Sequence, residues 1–267
     1  MRCAALTQCA KPLNKPPAMV YNAAGRENRV RAQRDKKTTM PGHLNAANLF
    51  DWTQVFGRTA PRVLDVGCGD GRFLIASALA NPGRDHVGIE VLAPLVAKGR
   101  GEAERLQLAN LRFFVGDAVQ WLSECAGDAS IDEIHAYHPQ PYYDPSVVEL
   151  GMLSAAFFER AWRVLRPGGI LVLQTDSRPY GKHLLAAARK HFDPVIQPGP
   201  WPDAPHGRTH REEVAQRKKL EILRVVAARR ETPLDVALPP PYFAAGRPGL
   251  PTVVSALRRR RKVDRSS

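Results

Sequence analysis

A doubly wound α/β fold on a mostly parallel sheet is the architecture this sequence predicts, and three observations predict it. Apolar strands alternate with helix-length segments from Arg62 to Ala228. A glycine-rich turn, Gly67-Cys-Gly-Asp-Gly71, joins the first strand of that series to its first helix. Gly169-Ile-Leu-Val-Leu-Gln-Thr175 is apolar almost without a break, as a strand covered on both faces needs to be. Alternation at these lengths implies parallel strands joined by crossover helices.

Taken in order, Arg62-Val-Leu-Asp65 reads as a strand ending on an acid, followed by a helix carrying Phe73, Leu74, Ile75 and Leu79. His86-Val-Gly-Ile-Glu90 is the second strand, again ending on an acid, and Pro94 to Leu108 the next helix. Leu111-Arg-Phe-Phe-Val115 is the third strand, with a short helix from Val119 to Cys125. Ile131 to Tyr137 is the fourth, and it leads into His138-Pro-Gln-Pro-Tyr-Tyr-Asp-Pro145. Prolines 139, 141 and 145 hold that loop extended by excluding helix from the residue before each. Val147 to Leu165 reads as a helix, with Leu150, Leu153, Phe157, Phe158, Ala161 and Leu165 at three- and four-residue spacing. Arg166-Pro-Gly-Gly169 ends it with the expected stop residues. The last strand is Leu220 to Ala228.

Glycines at alternate positions let the chain turn tightly and come close to a ligand. The spacing is G-x-G-x-G, not the G-x-G-x-x-G of dinucleotide binders. An acid at the strand end beside such a turn suits a cofactor with a cationic amino-acid head and no pyrophosphate, and S-adenosyl-L-methionine is one. Asp65, Gly67 and Gly69 are its candidate contacts. Glu90 lies 25 residues beyond Asp65, where an acid grips a ribose diol in nucleotide folds. Asp117, after the third strand, is placed to accept from an adenine amine. Each acid alone could be a helix cap or a solvated loop residue. Three of them at strand carboxyl ends mark the edge where open parallel sheets bind ligands.

Charge points to the partner. There are 39 Lys and Arg against 26 Asp and Glu, a net charge of +13. The first 45 residues hold nine basic and two acidic side chains, the chain ends in Arg258-Arg-Arg-Arg-Lys262, and a third cluster runs from Arg208 to Lys219. Such clusters attract phosphate backbones through a salt-dependent term. Tyr137, Tyr142 and Tyr143 gather where a splayed base could stack. Residues 1–45 read as a disordered basic arm, 46–230 as the single folded domain, and 231–267 as a linker with six prolines before 258, ending in the Arg-rich tail. No apolar run is long enough to cross a bilayer, and no secretory signal is evident. Cys3, Cys9, Cys68 and Cys125 show no metal-ligand spacing, so a cytoplasmic protein without a metal is expected.

These residues carry a resemblance. Asp65 to Gly71, the stop at Leu165-Arg-Pro-Gly-Gly169 and the strand after it resemble class I S-adenosylmethionine-dependent methyltransferases. Gly88-Ile-Glu90, Asn110-Leu-Arg112, Gly116-Asp-Ala118, Thr175-Asp-Ser-Arg-Pro-Tyr180 and Thr209-His-Arg-Glu212 are similar, in order, to blocks of the bacterial tRNA (guanine-N7)-methyltransferase family. The resemblance covers residues 60 to 230 and implies a seven-stranded Rossmann-like sheet, methyl transfer to N7 of a guanosine, and tRNA as partner. It also implies substrate contacts at Asp176, Thr209 and Glu212, and the central role at Gln140. Several positions depart from the family, among them Asp144, which stands where a positive charge is expected. Pro139-Gln-Pro-Tyr142 stands where the family has Pro-Asp-Pro-Trp, so an amide replaces its carboxylate, and Arg211 takes a place that is commonly aromatic. Two alternatives stay open: a methyltransferase acting on another RNA position or a small molecule, and an RNA-binding protein that has lost catalysis. Monomer and homodimer are equally compatible with the sequence.

Overall fold

The protein is described by a computed structural model over residues 49–140 and 152–242. Seven strands form one sheet in the order β3-β2-β1-β4-β5-β7-β6. They are β1 (Arg62–Val66), β2 (Asp85–Glu90), β3 (Leu111–Val115), β4 (Ile131–Tyr137), β5 (Leu165–Thr175), β6 (Phe192–Ile196) and β7 (Leu223–Arg229). The pairs β1–β2, β2–β3, β1–β4 and β4–β5 are parallel, and β7 runs antiparallel between β5 and β6. The order reverses between β1 and β4, the place where a doubly wound sheet opens a crevice at its carboxyl edge. This is the doubly wound, mostly parallel sheet the sequence predicts.

Helices α1 (Trp52–Phe56), α2 (Arg72–Ala80), α3 (Ala93–Arg105), α4 (Ala118–Glu124), α5 (Ala155–Val164), α6 (Arg178–Ala188) and α7 (His210–Arg217) complete the described elements. The period of two along each strand sorts the residues by face. Leu64, Val66, Val87, Ile89, Ile134, Ala136, Leu171, Leu173, Val225 and Ala227 face α1 and α4 to α6, in one core with Trp121, Phe157, Phe158 and Leu184. Val63, Phe113 and Val172 face α2 and α3, with Phe73, Leu74, Val96 and Trp201. The buried polar strand residues Asp65, His86, His135, Tyr137, Gln174 and Arg224 share that second face, as the register requires.

Boundaries differ from the sequence reading in physically explicable ways. The second crossover helix ends at Arg105 instead of Leu108, because Gln107 turns to φ +54°. The helix read as Val147 to Leu165 begins at Ala155, where the Ser154 side chain accepts from the Phe157 N–H; residues 147–151 lie outside the described residues. Strand β5 starts at Leu165, straight after the helix, and absorbs Arg166-Pro-Gly-Gly169 as an irregularity between the Ile131 and Glu133 registers. Strand β6, with Pro194, lies at the sheet edge that tolerates proline. Tyr142, Tyr143, the basic arm and the Arg-rich tail lie outside the described residues. Of the Pro-rich stretch, residues 231–242 are described and hold no helix or strand. Leu234 N–H donates to Lys190 O at 2.7 Å, and Tyr242 stacks on Tyr180 with centroids 5.1 Å apart.

One buried imidazole links the fold to pH. His86 is fully buried, with Nε2 3.0 Å from Ser77 Oγ and Nδ1 without a hydrogen-bond partner. Burial, above all other influences, lowers its pKa from 6.5 to about 4. The unfolded chain therefore takes up a proton near pH 6.5 that the folded chain resists until about pH 4. The stabilisation is full above pH 6.5 and is lost as pH falls through that window, by about 3 kcal/mol at ~1.4 kcal/mol per unit. Urea unfolding from pH 7.5 to 4.5 should show this decline, and it should be shallower in His86→Val. An equal slope in the two proteins assigns the decline to other groups, such as His135, whose pKa burial also lowers.

Candidate active site at the carboxyl edge of the sheet

The glycine turn is built as the sequence predicts. Gly67, Gly69 and Gly71 have φ of +71°, +58° and +76°, a region costly for residues with a Cβ. A Cβ at Gly71 would lie 2.2 Å from Phe113 Cζ, and one at Gly67 would lie 3.2 Å from Met152 Sδ. Neighbouring strand β2 fixes the turn. Gly67 and Cys68 N–H donate to Ile89 O at 2.8 and 3.2 Å. Glu90 accepts from Gly69 N–H at 3.1 Å through Oε2 and from Leu92 N–H at 3.0 Å through Oε1. Asp65, Gly67, Gly69 and Glu90 are thus brought together.

Asp65 is 2% exposed, and its Oδ1 has no hydrogen-bond partner. Burial first, and then the charge of Glu90, pushes its carboxyl well above the usual range. Two acids set close together with one oxygen unmet favour a ligand that brings positive charge and N–H or O–H donors. Burial, with Asp65 and Glu90 beside it, also pushes the Cys68 thiol up, which keeps it a thiol and removes it as a nucleophile. Asp117 is exposed and caps α4, accepting from Gln120 N–H at 2.9 Å. Next to it, Gly116 N–H donates to Glu90 O at 3.0 Å, so the Asp117 turn is tied to the end of β2.

Beyond the crevice, a lateral row of polar residues anchors the segment before α7. Tyr137, Gln174 and Arg224 lie side by side on β4, β5 and β7. Trp201 Nε1–H donates to Gln174 Oε1. Arg208 donates to the Tyr137 hydroxyl at 2.7 Å and lies 4.2 Å from the Trp201 ring centroid. Arg224 donates twice to Glu212 Oε1, at 2.9 and 2.7 Å. Glu212 Oε2 accepts from Arg208 N–H at 2.8 Å, and Thr209 Oγ1 accepts from Glu212 N–H at 3.2 Å. Thr209 therefore caps α7, and Glu212, fully buried, reaches back to Arg208 and faces Arg224. Arg208, part of the basic cluster in the sequence, is 15% exposed and paired with Asp203.

His138 and Asp176 meet at the ends of β4 and β5. His138 takes a left-handed φ of +49°, strained for a residue with a side chain. Its hydrogen bonds fix its tautomer. Trp201 can only donate, so Gln174 Oε1 accepts and Gln174 Nε2 is the donor facing His138 Nε2 at 2.7 Å. The imidazole proton then sits on Nδ1, which donates to Asp176 Oδ1 at 3.3 Å. On the other side, Arg211 Nη2 forms an ion pair with Asp176 Oδ2 at 2.5 Å. Burial opposes the charge of Asp176, but the His138 hydrogen bond and the Arg211 guanidinium outweigh it and hold the carboxyl at about 2. Gln140, two residues past His138, is exposed. Among the described residues, no group of three or more His, Cys, Asp or Glu could hold a metal ion.

Sequence reasoning missed Gln174, Trp201 and Arg224. The signal it could have used is parity: Tyr137, Gln174 and Arg224 are polar residues at alternate positions of otherwise apolar strands. Trp201, in a loop without periodicity, gave no such signal.

The sequence is similar to known proteins. A tRNA (guanine-N(7)-)-methyltransferase of Stutzerimonas stutzeri is 35% identical over 140 residues, 52% of this chain and 59% of that protein. The enzyme of the same name from Alcanivorax borkumensis is 39% identical over 131 residues, 49% of this chain and 55% of that protein. The chain thus spans less than two thirds of the length of the curated relatives it matches. One family, described as "Putative methyltransferase", matches residues 59–225, more than half of the chain, and the chain belongs to that family.

Proposed function

We propose that this protein transfers a methyl group from S-adenosylmethionine to N7 of a guanosine in tRNA. The observation that carries the reading is the buried Asp65–Glu90 pair at the glycine turn, with Asp65 Oδ1 unmet. S-adenosylmethionine suits that pair: its amino-acid head and sulfonium are positive, and its ribose and adenine bring hydroxyl and amine donors. Asp65, Gly67 and Gly69 are assigned to the head and backbone approach, Glu90 to the ribose, and Asp117 to the adenine. When bound, the cofactor supplies a methyl group on a cationic sulfur. The substrate half of the reading is supported by the names of the relatives and by the charge of +13. A cytoplasmic location and a role for the basic ends of the chain in holding tRNA belong to the same proposal.

The chemistry asked of the chain is modest. Guanine N7 carries a lone pair and no proton, so no general base is required, and the protein contributes by orientation. We assign Gln140 to the base: its carbonyl oxygen accepts an N–H of guanine but brings no charge. Asp176 provides a fixed carboxylate nearby in the fold. Thr209 and Glu212, which the resemblance implies as substrate contacts, are assigned an indirect part instead: Glu212 is buried with its oxygens taken by Arg208 and Arg224, so the two shape the segment that carries Arg211.

Two expectations test the assignment. Glu90→Ala should weaken S-adenosylhomocysteine binding by ~1–3 kcal/mol, since its hydroxyl partners are left unmet. Calorimetry giving unchanged affinity in a folded variant removes Glu90 from the site. Gln140→Ala should lower the turnover of 7-methylguanosine formation, Gln140→Asp should equal or exceed the wild type, and the wild-type rate should be flat across the pH range near 4 where a carboxylate base titrates. An Ala variant with wild-type turnover shows that this loop does not hold the base.

A further inference from the structure

Arg211 and Asp176 are unlike the two ion pairs that fix the segment before α7. The Glu212–Arg224 pair is fully enclosed, with side-chain exposures of 0% and 6%. The Arg208–Asp203 pair holds a guanidinium stacked on Trp201. In the Arg211–Asp176 pair the acid is 10% exposed and the arginine 56%. The acid is also fixed independently of the arginine, through the chain Trp201, Gln174 and His138 to Oδ1. Arg211 meets only Oδ2, from the first turn of α7. The acid is held from a second side, whereas the arginine is half exposed.

We infer that Arg211 is a transferable counter-ion: it neutralises Asp176 in the free protein and moves to a backbone phosphate when tRNA docks, uncovering a carboxylate for the target base. The inference rests on the proposed tRNA reading and deepens it. It offers a physical answer to the amide at Gln140. The carboxylate missing from that loop is supplied from the next strand end, by Asp176, and is kept covered until a polyanion draws the cation away. His138 keeps Oδ1 in place throughout, so only Oδ2 changes partner. Guanidinium suits the exchange because its planar donors match carboxylate and phosphate alike. The exchange also couples docking to exposure of the acid: a small molecule without phosphates would not move Arg211.

The test is a salt titration of tRNA binding to the full chain, comparing wild type, Arg211→Ala, Asp176→Asn and the double variant, each checked for folding by its thermal transition. Arg211→Ala should bind more weakly, with a log–log salt slope shallower by about 0.7 to 0.9, the value of one phosphate contact. Asp176→Asn frees the arginine in advance and should bind about two- to fivefold more tightly, the range expected for dissolving a partly exposed ion pair. The double variant should match Arg211→Ala, because without the arginine there is nothing to release. Tighter binding that persists in the double variant would mean that removing a negative charge helps through the general field, and would overturn the inference. So would an unchanged slope in Arg211→Ala. Formation of 7-methylguanosine by the wild type is scored separately. Its absence, with the binding pattern intact, defeats the proposed reaction and leaves the counter-ion exchange standing; the reverse pattern defeats the exchange alone.

Discussion

The site depends on one carboxylate in two hydrogen bonds to the main chain. Glu90 holds Gly69 N–H through one oxygen and Leu92 N–H through the other, so the left-handed glycine turn after β1 is fastened to the end of β2. That clamp joins the bonds from Gly67 and Cys68 N–H to Ile89 O in fixing three left-handed glycines at alternate positions. With it, Asp65 is buried beside a second acid, an arrangement that disfavours its charge and makes the crevice receptive to a cation. Burial of the acids, the turn geometry and the polarity of the crevice follow from the same contact.

The sheet extends that logic to its other half. Residues facing α4 to α6 are mostly apolar, with Asp85 and Thr175 as buried exceptions, whereas the opposite face carries Asp65, His135, Tyr137, Gln174 and Arg224. Buried polar groups need partners, and here most are found in the segment from Trp201 to Glu212. Trp201 meets Gln174, Arg208 meets Tyr137, and Glu212 meets Arg224. A second chain of bonds runs down β4. Tyr137 lies 2.8 Å from His135 Nδ1, and His135 Nε2 lies 3.2 Å from Glu133. Because Arg208 donates to the Tyr137 oxygen, the hydroxyl proton points to Nδ1, and His135 carries its own proton on Nε2 toward Glu133. Burial works against the charge on Glu133, but His135 and Arg84 hold its carboxyl at about 2. These bonds fix where α7 starts, and thereby where Arg211 and Asp176 meet.

Much of the glycine-turn half of the candidate site was legible in the sequence because it is local. The turn from Gly67 to Gly71 and the acids at 65 and 90 sit at fixed distances from strand ends, and strand ends are marked by apolar runs. Asp117 was legible as an acid at a strand end, and the structure adds that it caps α4. The substrate half was less legible because its contacts join residues far apart in sequence. Nothing near Gln174 announces Trp201, and nothing near Glu212 announces that Arg224 will bury it. Thr-x-x-Glu shows the difficulty well, since the same four residues satisfy a family resemblance and a helix cap. The basic cluster at Arg208 to Lys219 likewise reads as uniform in sequence, yet Arg208 is enclosed while Arg211 is half exposed.

The central claim, methyl transfer to guanosine N7 in tRNA, is tested most directly by nucleoside mass spectrometry. Unmodified tRNA is incubated with the full chain and S-adenosylmethionine bearing a deuterated methyl group, then digested to nucleosides. The account predicts the label in 7-methylguanosine, with none elsewhere. Label in another nucleoside, or no transfer from a folded protein that binds the cofactor, would contradict it.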